Sequence, residues 1–179
     1  MANRMQPVLY VEELTLRPWT VADVPALSAA YADPAIRHWH GRSMTWSEAD
    51  QWVSATNRGW TDEIAANWAV TDTERLVARI SLRTVDLEDG LAEIGYWVVP
   101  SARGRGIAPR ALVAVSNWAI DELGLHRLEL QHSTRNEASC RVAEKAGYPL
   151  ESTKRSQALH DDGWHDMHLH VRVDNGESC

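Results

Sequence analysis

The stretch Val98-Val99-Pro100-Ser101-Ala102-Arg103-Gly104-Arg105-Gly106-Ile107-Ala108-Pro109-Arg110-Ala111-Leu112 constrains this chain more than any other segment. An apolar strand, residues 94–99, runs into an arginine- and glycine-rich turn, and the turn runs straight into an amphipathic helix. Such a junction leaves several main-chain N–H groups without intrahelical partners at a helix start, where the aligned peptide dipoles favour an anion. Gly104 and Gly106 let the backbone approach a ligand closely, and Arg103, Arg105 and Arg110 add positive charge. The arrangement reads as a site for a pyrophosphate.

At 179 residues, with 44% hydrophobic and 24% charged content, the chain has the length and make-up of one packed globular domain. A net charge of -7 argues against non-specific nucleic-acid binding, which needs a basic surface, so the three arginines at 103, 105 and 110 stand out locally. Two cysteines, Cys140 and Cys179, do not make a disulfide framework or a zinc cluster. Residues 1–14 lack the apolar core of a signal peptide, and no run reaches the roughly 18 apolar residues of a membrane span. A cytoplasmic protein without membrane partners is expected. Tryptophan occurs nine times and phenylalanine not at all, and exposed tryptophans would be compatible with a homodimer.

No internal repeat, low-complexity tract or linker divides the chain. Residues 14–18 read as a first strand. Thr20 with Asp23 forms a capping box for a helix reaching Tyr31, and Ser47 with Asp50 opens a second helix carrying Ala49, Trp52, Val53, Thr56 and Trp60 at helical spacing. Strands follow at residues 67–71, 76–84 and 92–99, the last two as an antiparallel hairpin. The helix after the glycine turn keeps Ala108, Ala111, Leu112, Val115, Trp118, Ala119 and Leu123 on one stripe and ends at Gly124; Pro109 is tolerable in its first turn. A strand at residues 126–132, a short helix capped by Asn136 and closed by Gly147, and two strands at 150–158 and 164–173 complete the chain. The order predicts an α/β or α+β fold, a mixed sheet of about seven strands with helices on both faces.

Three anion motifs compete for the glycine turn. A Walker-type loop needs a lysine and then Ser or Thr after its second glycine, and a dinucleotide fingerprint needs a small residue where Pro109 stands. The third fits: Arg103-x-x-Gly106-x-Ala108 resembles the acyl-CoA pyrophosphate motif of the GNAT superfamily of N-acyltransferases. Further segments match in order: Gly95-Tyr96-Trp97 before the motif, Asn136-x-x-Ser139-x-x-Val142-x-Glu144-Lys145-x-Gly147-Tyr148 after the next strand, and Gly163-Trp164-x-Asp166 in the final hairpin. Together they resemble the RimJ/RimL-type branch, whose members acetylate N-termini of ribosomal proteins, over residues 12–173.

The resemblance implies a mostly antiparallel seven-stranded sheet in which the strand at 92–99 splays from the strand at 126–132, with acetyl-CoA lying in the cleft. Main-chain groups of Trp97, Val98 and Val99 would hold the pantetheine arm, the Val98 N–H polarising the thioester carbonyl. Arg103, Gly104, Arg105, Gly106, Ile107 and Ala108 would wrap the pyrophosphate, and Asn136 would contact the pantetheine. Ser139 matches a serine beside the CoA sulfur and would protonate the leaving thiolate; its other reading is a local helix hydrogen bond.

The reaction the resemblance implies is direct attack of a neutral amine on the thioester, so a base must take the amine proton. An α-amine, with a pKa of about 7.7–8.0, yields that proton more readily than lysine at about 10.4. Glu93 is the first candidate base; its other reading is a carboxylate paired with an arginine across the sheet. His170 stands where relatives often carry a tyrosine and is a candidate proton donor. Asp166, His168 and His170 share a strand face; a metal site is its minor reading, packing is the preferred one, and the resemblance implies no metal. Cys140 reads as a small buried hydrophobe. Trp39, Trp46, Trp52 and Trp60 fall where the family builds its acceptor pocket, most of them as core, with His38 and His40 in a loop beside it. The expected activity is N-acetyl transfer to a protein N-terminus or a small amine; a non-catalytic acyl-CoA sensor and a donor longer than acetyl are the rivals.

Overall fold

The computed structural model describes residues 1, 5–40, 43–174 and 176. Its strands and α-helices, in chain order, are β1 (Leu9–Val11), β2 (Leu14–Pro18), α1 (Val24–Ala32), α2 (Pro34–His40), α3 (Trp46–Thr61), β3 (Ala66–Asp72), β4 (Arg75–Asp86), β5 (Leu91–Val98), α4 (Ile107–Leu123), β6 (Arg127–Ser133), α5 (Glu137–Lys145), β7 (Leu150–His160) and β8 (Gly163–Val173). The strands form one sheet in the order β1-β2-β3-β4-β5-β6-β8-β7, antiparallel throughout except for β5 against β6. The sheet has eight strands rather than seven. The extra one is the short edge strand β1, whose three residues, turning into β2 through Glu12 in the left-handed region (φ 53°), are too few to show a period.

Two apolar layers sandwich the sheet. On one face, Val24, Leu27 and Tyr31 of α1, Ile36 of α2 and Ala49 and Val53 of α3 pack with Ala69 and Trp97. On the other, Ala111, Leu112, Val115 and Ala119 of α4 and Ala143 of α5 pack with Val70, Ile80, Leu82, Ile94, Leu128 and Leu130. Strand alternation explains the division: along β5, Trp97 faces the first layer while Tyr96 and Val98 face the second.

The first capping box holds. Asp23 accepts from the Thr20 N–H at 2.9 Å and is gripped by both Arg17 Nη atoms at 2.8 and 2.7 Å, although the turn it opens is 3-10 before α1 begins. For α3 the box lies two residues earlier than expected. Thr45 caps the Glu48 N–H at 3.3 Å, and Glu48 answers the Thr45 N–H at 2.7 Å. Helix α2 replaces the loop expected around His38 and His40. Its start is Asp33, whose carboxylate accepts from the Ala35 N–H at 2.8 Å, followed by Pro34 where no N–H is needed. Among the described residues no helix is long and apolar enough to cross a membrane.

Candidate active site

β5 pairs with β4 as far as Val98 opposite Ala78, but with β6 only from Leu91 to Ile94. Beyond Ile94 the two parallel strands part, leaving the β6-facing edge of β5 open. The Val99 N–H is bonded to Val77 O at 2.9 Å, toward β4. Alternation therefore turns the main-chain groups of Val98 the other way, into the opening. There the Val98 carbonyl accepts from Arg103 Nε at 3.2 Å. Of the three residues expected to offer main chain to the cleft, Val98 does so, whereas Val99 commits its N–H to the sheet. Trp97 brings its indole, which donates to Tyr31 Oη at 3.3 Å.

A single 3-10 turn, Pro100–Ala102, leads from β5 into the glycine turn. Gly104 (φ 79°) and Gly106 (φ 70°) adopt the left-handed conformation that a side chain would strain. The N–H groups of Gly104, Arg105, Gly106, Ile107 and Ala108 have no acceptor among the described residues, and they run up to and into the first turn of the 17-residue α4. The three arginines divide. Arg105 pairs with Asp72 at 2.6 Å, and Arg110 is clamped by Glu12 and by both carboxylate oxygens of Glu13 at 3.0 Å. The hydrogen bond from Arg110 holds the Glu13 carboxyl down at about 2. Arg103 has no carboxylate partner among the described residues. Of the positive charge the sequence places here, Arg103 is the part left to meet an anion.

A cavity of about 350 Å³ runs from this turn, past Tyr96 and Val98, to Asn136, Ser139 and Val142 of the α5 region. A second, of about 380 Å³, is lined by Tyr31, Arg79, Glu93, His132, His160 and Met167 among others. The two share Trp39, His40, Tyr96, Trp97, Asn136 and Ser139, and so form two arms meeting at Ser139. Asn136 caps α5 by accepting from the Ser139 N–H at 3.1 Å, which places both residues on the first turn. The Tyr96 hydroxyl donates to Ser139 Oγ at 3.1 Å, and burial pushes Tyr96 up to about 12, so it stays a neutral donor. The Tyr96 contribution is missing from the sequence reading, since its partner lies 43 positions away. The signal available was alternation, which sets Tyr96 on the opposite face from Trp97.

Glu93 lines the second arm and is paired with Arg83 at 2.5 Å, directly opposite it in the β4–β5 register. At Gly95 a Cβ would stand 3.1 Å from the Arg83 guanidinium, so glycine spares that side chain a small shift. His170 is elsewhere. It is 1% exposed, bonds through Nδ1 to Tyr148 O at 2.9 Å, and lines neither arm, so it does not meet Ser139 and Glu93. Its neighbours are His132 and His168, with ring centroids 5.0 and 5.9 Å away. Burial also lowers the His132 imidazole below its usual value, with like-charge repulsion from His170 and His168 adding to the effect. Cys140 is half-exposed rather than buried, and Cys179 lies outside the described residues. Trp39 lines both arms, Trp52 packs edge-on against Trp19, Trp60 is core, and Trp46 is 58% exposed.

The loop that delivers Asn136 is itself locked. Ser133 Oγ lies 2.8 Å from His165 Nδ1 and accepts from the Arg135 N–H at 3.1 Å, while His165 Nε2 meets Asp162 at 2.8 Å.

Residues 13–149 match the family model described as acetyltransferase (GNAT) domain. The chain is 26% identical over 163 residues, covering 89% of it and 92% of the relative, to the uncharacterized N-acetyltransferase YoaA of Bacillus subtilis. It is 25% identical over 142 residues, 75% of this chain and 79% of the relative, to the ribosomal-protein-serine acetyltransferase of Escherichia coli. Among solved structures it superposes with a TM-score of 0.87 on RimL, a ribosomal L7/L12 α-N-protein acetyltransferase in complex with coenzyme A, at 19% identity with 96% of this chain and 100% of that one covered. With the open β5 edge and the glycine turn at the head of α4, the match over residues 13–149 places this chain in the GNAT acetyltransferase family.

Proposed function

We propose that the protein transfers an acetyl group from acetyl-CoA to a primary amine, with a protein N-terminal α-amine as the preferred acceptor, by direct attack in a ternary complex. One observation carries the reading. The open edge of β5 connects the unpaired N–H cluster of the turn to the Tyr96–Ser139 pair, at the point where a second arm lined by Glu93 begins. The diphosphate fits the N–H groups from Gly104 to Ala108 and the Arg103 guanidinium. The pantetheine arm fits the Val98 edge and Asn136, and the Val98 N–H polarises the thioester carbonyl. Glu93 takes the amine proton, directly or through one water, while Arg83 holds the carboxylate in place. Ser139 gives its proton to the departing thiolate and regains one from solvent, while Tyr96, bonded to the same oxygen, holds it in place as a neutral donor.

The α-amine preference rests on its lower pKa, about 7.7–8.0 against about 10.4 for lysine. The two relatives described as acting on ribosomal proteins point the same way. The test is thiol release from acetyl-CoA over a panel of peptides and small amines. Turnover is expected with free N-terminal peptides and is abolished when the same peptides are Nα-blocked. Binding of coenzyme A without thiol release from any amine would overturn the transferase reading in favour of a sensor, and turnover with small amines alone would overturn the acceptor assignment.

A further inference from the structure

We propose that His132, Cys140, His168 and His170 form a binding site for one divalent transition-metal ion, Zn²⁺ by the chemistry of the donors, that pins α5 to the sheet. One donor atom from each of the four lies within 4.8 Å of all the others. His132 stands directly opposite His168 in the β6–β8 register, and His170 is two residues along on the same face. Cys140, on α5, supplies the fourth donor, and its thiol also lies 3.8 Å from Glu144 Oε1.

The imidazoles are set as metal ligands are. His132 Nδ1 lies 2.8 Å from Ser133 O and His170 Nδ1 lies 2.9 Å from Tyr148 O. A carbonyl can only accept, so in each neutral ring the proton sits on Nδ1 and the lone pair on Nε2. Those two Nε2 atoms, and Nδ1 of His168, are buried without a hydrogen-bond partner. Unpartnered nitrogens on three neighbouring rings are costly to bury, and one ion satisfies all of them at once. Three nitrogens and a thiolate suit tetrahedral Zn²⁺, with bonds of about 2.0–2.3 Å that set donors about 3.3–3.6 Å apart. Side-chain rotation inward by about an ångström achieves this. Binding releases the Cys140 thiol proton to solvent and leaves no coordination position open, so the ion clamps structure and performs no chemistry of its own. What it fixes is α5, whose first turn carries Asn136 and Ser139.

The ion is measured on the full chain. Chelator-stripped protein is titrated with ZnCl₂ and with CoCl₂, and one equivalent of each is expected to bind. Bound Co²⁺ should show the visible bands of a tetrahedral site together with a thiolate-to-metal charge-transfer band. Cys140→Ser removes the charge-transfer band, and His168→Gln weakens Zn²⁺ by more than about 100-fold. Both ligands are half-exposed, so the variants should fold. Zn²⁺ should raise the Tm of the parent and leave that of His168→Gln unmoved. Stoichiometric Co²⁺ binding whose spectrum survives Cys140→Ser overturns the four-ligand assignment. No binding at micromolar free Zn²⁺ overturns the site altogether.

Discussion

Ser139 is held by two bonds of different purpose: its N–H donates to the Asn136 cap at 3.1 Å, and its Oγ accepts from Tyr96 at 3.1 Å. The second bond leaves the serine proton directed away from Tyr96 and free to be given up. Ser139→Ala is expected to lower kcat by about 100-fold with little change in KM for acetyl-CoA, measured by thiol release. Tyr96→Phe should lower kcat about tenfold and leave the pH profile without a new limb below about pH 10, because the phenol is neutral throughout that range. Its raised pKa, about 12, favours the protonated form in the fold, so any stability it adds is present below about pH 10 and fades as pH rises toward 12. Glu93→Gln is expected to lower kcat/KM for a peptide amine by about 100-fold at neutral pH. The loss should shrink above about pH 8, where the amine is already largely neutral. An unchanged ratio across that range would assign Glu93 to the ion pair alone.

At the scale of elements, the proposed site lies in a cavity lined by the starts of α4 and α5 and by the end of β5 that β6 leaves unpaired. The turn before α4 offers unpaired N–H groups, and its arginines differ in what they are free to do. Arg103→Ala should raise KM for acetyl-CoA about tenfold without lowering Tm, whereas Arg110→Ala should lower Tm and leave that KM nearly unchanged, since Arg110 ties α4 to Glu12 and Glu13. Asn136→Ala removes a cap worth about 1 kcal/mol and should cost about 2–4 °C in Tm, with Asn136→Asp restoring the Tm. Boundaries at this scale were uneven in legibility. The turn and α4 are readable from Gly104, Gly106 and Gly124 with an apolar stripe at helical spacing between them, and α5 from the Asn136 cap and Gly147. At the start of α3, Ser47 and Asp50 mimic the Thr45 and Glu48 box two residues away, and local spacing does not distinguish the two. Asp33-Pro34 is a helix start, but the seven residues of α2 include a single buried apolar one, Ile36, and so carry no helical period.

For the whole molecule, a mixed sheet filled from both faces gives the site a rigid floor, and the first helical layer is tied to that floor through Asp23. Burial alone would raise the Asp23 carboxyl, but the paired Arg17 guanidinium and the Thr20 N–H outweigh it and hold the group below its usual value. A depressed folded value means that the stabilisation is complete above the unfolded pKa of about 3.9 and is lost as pH falls through the folded one. Asp23→Asn should therefore lower Tm at neutral pH, by an amount corresponding to about 1–3 kcal/mol, and flatten the fall of Tm between about pH 5 and pH 3. A parallel fall in both proteins would place the acid-sensitive group elsewhere.

Local chemistry alone is enough to determine the glycine turn, the alternation of β5 and the capping of α5. Each depends on residues within a few positions of one another, and so the GNAT resemblance can be read from the string of letters. The rest depends on contacts between distant residues. Where β5 leaves β6 is a matter of sheet register. Which arginine stays available is decided by carboxylates 33 and 97 or more positions away. Alternation along β8 puts His168 and His170 on one face, but bringing His132 and Cys140 to them needs a second strand and a helix folded against it.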